Sequence, residues 1–338
     1  MLDRFNLRMA MALDLLDRLL HLGAVDGRLD ERCELRAPWA LDSARSGQRE
    51  MPYHAVLAGS AVVEGTGLPP ATLYAGDVLV LPSGEAHRIV DKSDEPTVLL
   101  CGRFVLTYAA WRLYRSLLPD HVIVRTGAGD ARQKRERTRA QTRAQTQAQS
   151  DAASSRLGRV LALMREETDQ AEPGYATVLR NLSAALFGLT LRAAMHGAEP
   201  PSGMLALATH PRLRELAVQI VESPSQSWTI EDMAAVANQS RSSLIRSFGA
   251  AAGMAPAEFV TRVRIAEASK LLKESEQSVA AIGEAVGYAS EAAFQRAFKR
   301  ETDMTPAAWR AMPPPSVEPP RPPRWVSVDG ASNKTLNG

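Results

Sequence analysis

Residues 286–306 read VGYASEAAFQRAFKRETDMTP, and the rest of the chain is interpreted outward from them. Ser290 follows a glycine–aromatic pair and stands where a helix N-cap would, and Pro306 closes the phrase. Phe294 and Phe298 are four residues apart and share one helix face, whereas Gln295, Arg296 and Lys299 fall elsewhere. Aromatics at that spacing fasten a short helix to a core. The guanidinium and amide left outside are groups that read hydrogen-bond patterns. Taken singly, such a helix is more often an ordinary surface helix.

The phrase is repeated. Fifty positions earlier the chain reads NQSRSSLIRSFGAAAGMAP, so that Ser240 answers Ser290, Leu244 Phe294, Arg246 Arg296, Phe248 Phe298, Pro256 Pro306 and Phe259 Trp309. A short predicted helix precedes each copy, capped by Thr229 in one case and Ser278 in the other. Between the copies runs a longer helix, with Val260, Val263, Ala266 and Leu271 as its inner positions. Short helix, tight turn, second short helix, all duplicated, is the helix-turn-helix arrangement, whose second helix enters the DNA major groove. Arginine suits that task because its planar fork meets guanine's two acceptors, and glutamine does the same for adenine. Net charge argues the other way: residues 211–312 hold 12 Lys and Arg against 12 Asp and Glu. Two readers on adjacent turns need only a modest basic contribution each, and the duplication outweighs the balance.

Residues 211–312 resemble the double helix-turn-helix domain of AraC/XylS-type bacterial transcription regulators. Gly287, Tyr288, Phe294, Arg296, Phe298, Lys299, Thr305, Pro306 and Arg310 sit where that family's pattern has them. Gly283 stands for the usual alanine and Asp303 for the usual glycine. In the looser first copy Asn238 and Gln239 replace the common residues before Ser240, and Gly249 replaces a basic residue. The resemblance implies that Ser242, Ile245 and Arg246 face bases in the first unit, and Glu291, Ala292, Gln295 and Arg296 in the second, with Lys299 beside them. It implies double-stranded promoter DNA and RNA polymerase as partners.

A second phrase, AGDVLVLPSGEAHRIVD, places Gly76, Pro82, Gly84, His87 and Asp91 at the spacing of the second motif of cupin barrels. Upstream, His54 in MPYHAVLAG stands alone, without the paired histidine and glutamate of the first cupin motif. Two histidines and a turn-placed Asp91 are too few to hold a metal ion, so the favoured reading is two histidines hydrogen-bonded inside a small barrel, with no metal and no cofactor. The segment of about residues 1–125 is similar to cupin sensor domains fused to AraC-type helices. The chain has two cysteines: Cys33, read as preceding the first strand, and Cys101, read as ending one. In RCELRAPW and CGRF, together with His54 and His87, the chain resembles thiol-based, reactive-chlorine-responsive members of the group. Arg32 and Arg103 beside the cysteines would favour thiolate. Two signals stay open: oxidation of Cys33, with a bond to Cys101, or a small organic effector between His54 and His87.

The whole chain bounds these readings. Its 338 residues suggest two domains, and 45% hydrophobic with 23% charged residues is an ordinary globular balance. No run approaches the ~18 apolar residues of a membrane helix. The first 23 residues read as an amphipathic helix with Leu13, Leu16 and Leu20 on one side, not as a signal peptide. Two cysteines are not a secreted disulfide framework, so a cytoplasmic location is expected. HAVLAG, SAVVEG, GDVLVLP and TVLLCGRFVL read as strands, TGLPP and PSGE as turns. The expected fold class is α+β and multidomain, with a cupin-like β-barrel and N-terminal helix (1–125), a low-complexity basic linker (126–156), a helical hairpin whose apolar second helix is to be buried either on the barrel or against a second copy of the chain as a dimer (157–205), an all-α double helix-turn-helix (206–312) and a disordered tail (313–338). The alternative, a metal-dependent cupin enzyme with a helical accessory, leaves the repeat unexplained.

Overall fold

The computed structural model describes residues 15–23, 26–106 apart from 48, 66 and 93, most of 111–126, 144–196, 202–312, 321–329 and 332–336. They fall into two compact units, residues 25–201 with 316–338 and residues 1–24 with 202–315. Helix α1 (Leu15–Gly23) belongs to the second. The first continues with β1 (Asp26–Arg36), β2 (Trp39–Ser43), β3 (Glu50–Ala58), β4 (Ser60–Gly65), β5 (Leu68–Tyr74), β6 (Val78–Val80), β7 (His87–Asp91), β8 (Thr97–Val105) and β9 (Val122–Val124), then α2 (Ala144–Gln170) and α3 (Tyr175–Ala194). The second unit resumes with α4 (Gly203–Thr209), α5 (Leu213–Glu222), α6 (Ile230–Val236), α7 (Arg241–Ala252), α8 (Pro256–Glu274), α9 (Val279–Ala285), α10 (Glu291–Thr302) and α11 (Pro306–Ala311). Strands β10 (Arg324–Asp329) and β11 (Ser332–Leu336) return to the first.

The β unit has two sheets, ordered β10-β1-β8-β3-β6-β9 and β11-β2-β7-β4-β5. Side chains alternate across each strand, and one set from both sheets meets in a core that includes Leu35, Leu41, Val56, Val63, Leu73, Leu79, Ile89, Leu99, Cys33 and Cys101. Cys33 therefore lies inside a strand, not before one, and Cys101 lies within β8. The charges in DGRLDERCELR hide β1's alternation from a hydrophobicity reading. TGLPP, expected as a turn, contributes Leu68, Pro69 and Pro70 to β5. This strand is outermost in its sheet, where a residue without an N–H leaves no ladder bond unmade.

Helices α2 and α3 pack together, and α3 lies against β1. Its buried Leu179, Leu186, Phe187 and Leu191 explain why it is apolar around much of its girth. The Tyr53 hydroxyl meets Ser183 Oγ at 3.0 Å, Phe104 and Phe187 rings stand 4.8 Å apart, and Arg180 forks onto Asp26 at 2.5 and 2.8 Å. The expected choice between barrel and second copy is thus decided for the barrel. Several boundaries change. Helix α2 begins at Ala144, inside the expected linker, of which residues 127–143 lie outside the described residues. Helix α1, expected with the barrel, packs on α5 and α8 through buried Leu15, Leu16 and Leu19, with Arg18 paired to Glu222; Leu13 lies outside the described residues and Leu20 is only partly buried. An amphipathic stripe specifies that a partner exists, not which one. The tail expected to be disordered holds β10 and β11, because RWVSVD alternates correctly for a strand despite its Pro-rich approach.

Candidate nucleic-acid interface and sensor site

Each helix-turn-helix starts with a local cap. Thr229 and Asp232 form a reciprocal capping box on α6, and Ser240, Ser278 and Ser290 accept from the N–H three residues on at 3.3, 3.1 and 3.3 Å. Such a cap contributes ~1 kcal/mol. The repeat is kept in space: α7 and α10 begin and end fifty residues apart, as do the proline starts of α8 and α11. In the first unit Leu244, Phe248 and Phe259 are wholly buried, with the two rings 5.6 Å apart. In the second, rings run in series, Tyr288 to Phe294 to Phe298 to Trp309, at 5.5, 5.6 and 5.8 Å. Trp309 Nε1 also donates to the Ser269 carbonyl at 3.1 Å, which locks α11 to α8. Full burial of one such side chain contributes ~1.5–3 kcal/mol, enough to hold a three-turn helix rigid. Gly283 is explained here: a Cβ would stand 3.0 Å from the Phe294 ring. On α8, Val260, Val263 and Ala266 are buried as expected, and Leu272 replaces Leu271 as the inner leucine.

The opposite faces are open. Ser242, Ile245 and Arg246 on α7, and Glu291, Ala292, Gln295, Arg296 and Lys299 on α10, are all exposed. Ile245 is 52% exposed, unusual for a large aliphatic side chain on a packed helix. Neighbouring arginines are tied down: Arg241 to Glu231, Arg262 to Glu258, Arg264 to the Pro224 and Gln226 carbonyls, and Arg310 to those of Leu272 and Gln277. Arg246 and Arg296 have no hydrogen-bond or ion-pair partner among the described residues. Gln295 donates to Glu291 at 2.8 Å, so these two side chains would have to part to reach a base.

In the β unit, His54, His87 and Cys101 come together inside the sheets. His54 Nε2 lies 2.7 Å from His87 Nε2, and His54 Nδ1 lies 3.2 Å from Cys101 Sγ. Their protonation follows from one fixed point. His87 Nδ1 is 2.9 Å from the Glu85 carbonyl, which only accepts, so Nδ1 carries the proton and Nε2 accepts. His54 then donates through Nε2 and presents Nδ1 to the thiol as an acceptor. Burial, reinforced by His87, holds His54 well below the ordinary imidazole range, and burial lowers His87 against its contact with Glu85. Both rings are neutral near pH 7. Asp91 is occupied elsewhere, accepting the Trp39 N–H at 3.0 Å. Among the described residues no three His, Cys, Asp or Glu side chains are placed to hold a metal ion.

The thiols are reduced and buried. Cys33 faces Leu99 across the ladder, and Cys101 faces Glu31, so the two cysteines are diagonal neighbours on adjacent strands. A hydrogen bond with Cys33, then burial, then the charges of Cys33, Glu31 and Asp30 keep Cys101 protonated well above the usual thiol range. The expected thiolate-favouring arginines do not act that way. Arg32 points to the opposite face of β1, where it binds Thr168, Asp169 and Glu34, and Arg103 is spent on Asp30 and Glu50 at 2.9 and 3.1 Å. A partly open cavity of ≈ 60 Å³ is lined by His54, His87, Cys101, Glu31 and Arg103 among others, and Cys33 is not in its wall. Glu31 was missed by sequence reasoning. Its place two residues before Cys33, on the same face of a strand, was the available signal.

The helix-turn-helix domain family matches residues 233–312 and the cupin family residues 14–157. The chain is 28% identical over 298 residues to the RCS-specific HTH-type transcriptional activator RclR of Escherichia coli, covering 88% of this chain and 97% of that protein. It is equally 28% identical, over 307 residues, to the HTH-type transcriptional regulator MtrA of Neisseria gonorrhoeae, covering 88% and 98%. The DNA-binding domain of AdpA, solved in complex with a target DNA, is 31% identical and covers 30% of this chain and 90% of its own, with a TM-score of 0.29.

Proposed function

We propose that this chain, a cupin domain joined to a helix-turn-helix domain of the AraC type, regulates transcription by binding promoter DNA through two recognition helices under control of a thiol switch in the cupin domain. Its homologues are transcription regulators of this kind. One observation carries the DNA half: Arg246 and Arg296, fifty residues apart, are each presented without a hydrogen-bond or ion-pair partner among the described residues, on a helix pinned from behind by buried aromatics. Ser242, Ile245, Glu291, Ala292, Gln295 and Lys299 complete the two faces.

For the signal, the size of the cavity favours an oxidant over an organic effector. Ligand pockets typically measure ~300–1,000 Å³, against ≈ 60 Å³ here, which admits a few waters or a molecule as small as a peroxide or hypohalous acid. Cys101 in the cavity wall is attacked first. A hydroperoxide, taken as the oxidant, transfers one oxygen to Cys101 Sγ, giving the sulfenic acid and water (or the alcohol). The thiol proton passes by way of His54 Nδ1 to the departing oxygen as the sulfur–oxygen bond forms, so that neither a free thiolate nor a charged His54 accumulates. Cys33 Sγ then displaces hydroxide, which leaves as water with the Cys33 proton, and the disulfide forms. A wire of donors from Cys101 through His54 and His87 to the Glu85 carbonyl supports that proton movement. The protein acts in the cytoplasm as a homodimer that contacts RNA polymerase; exposed Leu163 and Val178 on the hairpin support a self-association face, and no described helix is long and apolar enough to cross a membrane.

The test is genome-wide footprinting with and without hydrogen peroxide, for the wild type and for a Cys33→Ser, Cys101→Ser double variant. Sites shared by both proteins, with the oxidant response confined to the wild type, is the expected result. An undiminished response in the double variant would sink the thiol switch and leave DNA binding standing.

A further inference from the structure

We infer that residues 324–329 are a latch on the thiol-bearing strand, holding β1 from its outer edge and tethering the C-terminal end of the DNA-binding unit to it. This strap lies outside both matched families, which end at residues 157 and 312. Strand β10 pairs in parallel with β1 in a register that sets Val326 beside Cys33, Trp325 beside Arg32 and Arg324 beside Glu31. Each of the three makes a different contact. Val326 enters the core that contains both cysteines and closes it on the outer side of Cys33. Trp325 lies under the Arg32 guanidinium, 4.4 Å from carbon to ring centroid. Arg324 pairs with Glu31, a carboxylate only 2% exposed that also lines the cavity of Cys101. Strand β11 pairs in the same sense with β2, so the strap runs along the outer edges of both sheets.

Removing it would leave β1 with an open row of backbone groups on one side, a buried carboxylate without its guanidinium and a cysteine without its cover. Strand β1 is also where the preceding tether docks. The hairpin reaches it through Arg180 on Asp26 and through Thr168 and Asp169 on Arg32. The segments that enter and leave the DNA-binding unit therefore both grip the strand that carries Cys33. A rearrangement of β1 about its thiol would reach both segments, and these are the proposed route from the cupin domain to DNA affinity. This route rests on the proposed thiol sensing; the latch itself does not.

Two full-length variants and one truncation test it. In a Cys101→Ser background, with no oxidant and no DNA, the rate of Cys33 alkylation by N-ethylmaleimide is compared among the intact chain, a chain ending at Pro315, and an Arg324→Glu, Trp325→Ala variant. Amide exchange of residues 31–36 is read in parallel. Alkylation and exchange at least tenfold faster in both altered proteins, with exchange in α7 and α10 unchanged, is the expected result. Rates within twofold of the intact chain overturn the latch, and if the truncated chain does not fold the double substitution decides alone. Restoring Cys101 in the same variants then reads transmission: a shift in the oxidant dose that changes promoter binding is expected, and an unchanged dose overturns the coupling while leaving the shielding intact. Failure of the intact wild type to respond to oxidant at all would instead count against thiol sensing.

Discussion

The two helix-turn-helix units are copies that solve the same backbone problems with different residues. In the second, the turn before the recognition helix is made by Gly287, at φ 94°, under a ceiling so close that a Cβ would stand 2.7 Å from the Ser225 carbonyl oxygen. In the first, Asn238 makes the turn at φ 50°. The C-terminal caps are reversed: Gly253 at φ 71° ends α7, and Asp303 at φ 61° ends α10. The second unit adds a chain of four rings where the first has two. What this teaches is that left-handed caps and turns are conserved as geometry, not as residue type. The unit with the richer aromatic core keeps its form even with a residue of poorer conformational freedom at its cap.

Substitutions can break or sharpen that contrast. The largest effect is expected from replacing the turn residues. Gly287→Ala combines a left-handed φ with a steric clash and should cost about 2–3 kcal/mol in the stability of the helical unit, whereas Asn238→Ala should cost under ~1 kcal/mol; urea unfolding of the two variants gives the comparison. Next come the readers. Arg296→Ala and Arg246→Ala should each weaken binding to the cognate promoter fragment by roughly 5- to 150-fold, the equivalent of ~1–3 kcal/mol per bidentate base contact, with unchanged melting temperatures. Fluorescence anisotropy at one fixed salt concentration measures both. Exchanging the caps should give smaller effects of opposite sign: Asp303→Gly stabilises by ~0.5–1 kcal/mol and Gly253→Asp destabilises by a similar amount, read from thermal melts. The smallest is Gly249→Lys. A Cβ there meets nothing within 4 Å, so the change should fold normally, raise promoter affinity a few-fold, and steepen its logarithmic salt dependence by ~0.9.

The helical half was legible in the sequence because its signals are local. Caps, proline starts and the Phe294–Phe298 pair lie within one turn or two of what they determine, and the fifty-residue repeat supplied a check that no single helix offers. The barrel was legible in HAVLAG, SAVVEG, GDVLVLP and TVLLCGRFVL, which fall in β3, β4, β6 and β8, and in the PSGE turn and its two histidines. Strand β1 was missed because Asp30, Glu31, Arg32, Glu34 and Arg36 interrupt its apolar alternation, and their partners lie far along the chain: Arg103 for Asp30, Arg324 for Glu31 and Asp169 for Arg32. The charge environment of Cys101 was misjudged for the same reason. Sequence neighbours on a strand point to opposite faces, so Arg32 points away from the thiol core while Glu31 faces it, and Asp30 joins Glu31 at the Cys101 cavity because a bulge between Leu29 and Glu31 breaks the alternation there. The strap was read as a tail because proline-rich composition ahead of it outweighed six residues of strand pattern.

The claim on which the rest depends is that one chain carries two independent readers of adjacent groove turns. Hydroxyl-radical footprinting of the full chain on its promoter tests this most directly. Two protected patches with centres ~10 base pairs apart are predicted, one lost in Arg246→Ala and the other in Arg296→Ala. A single patch, or a footprint that both variants leave whole, would contradict it.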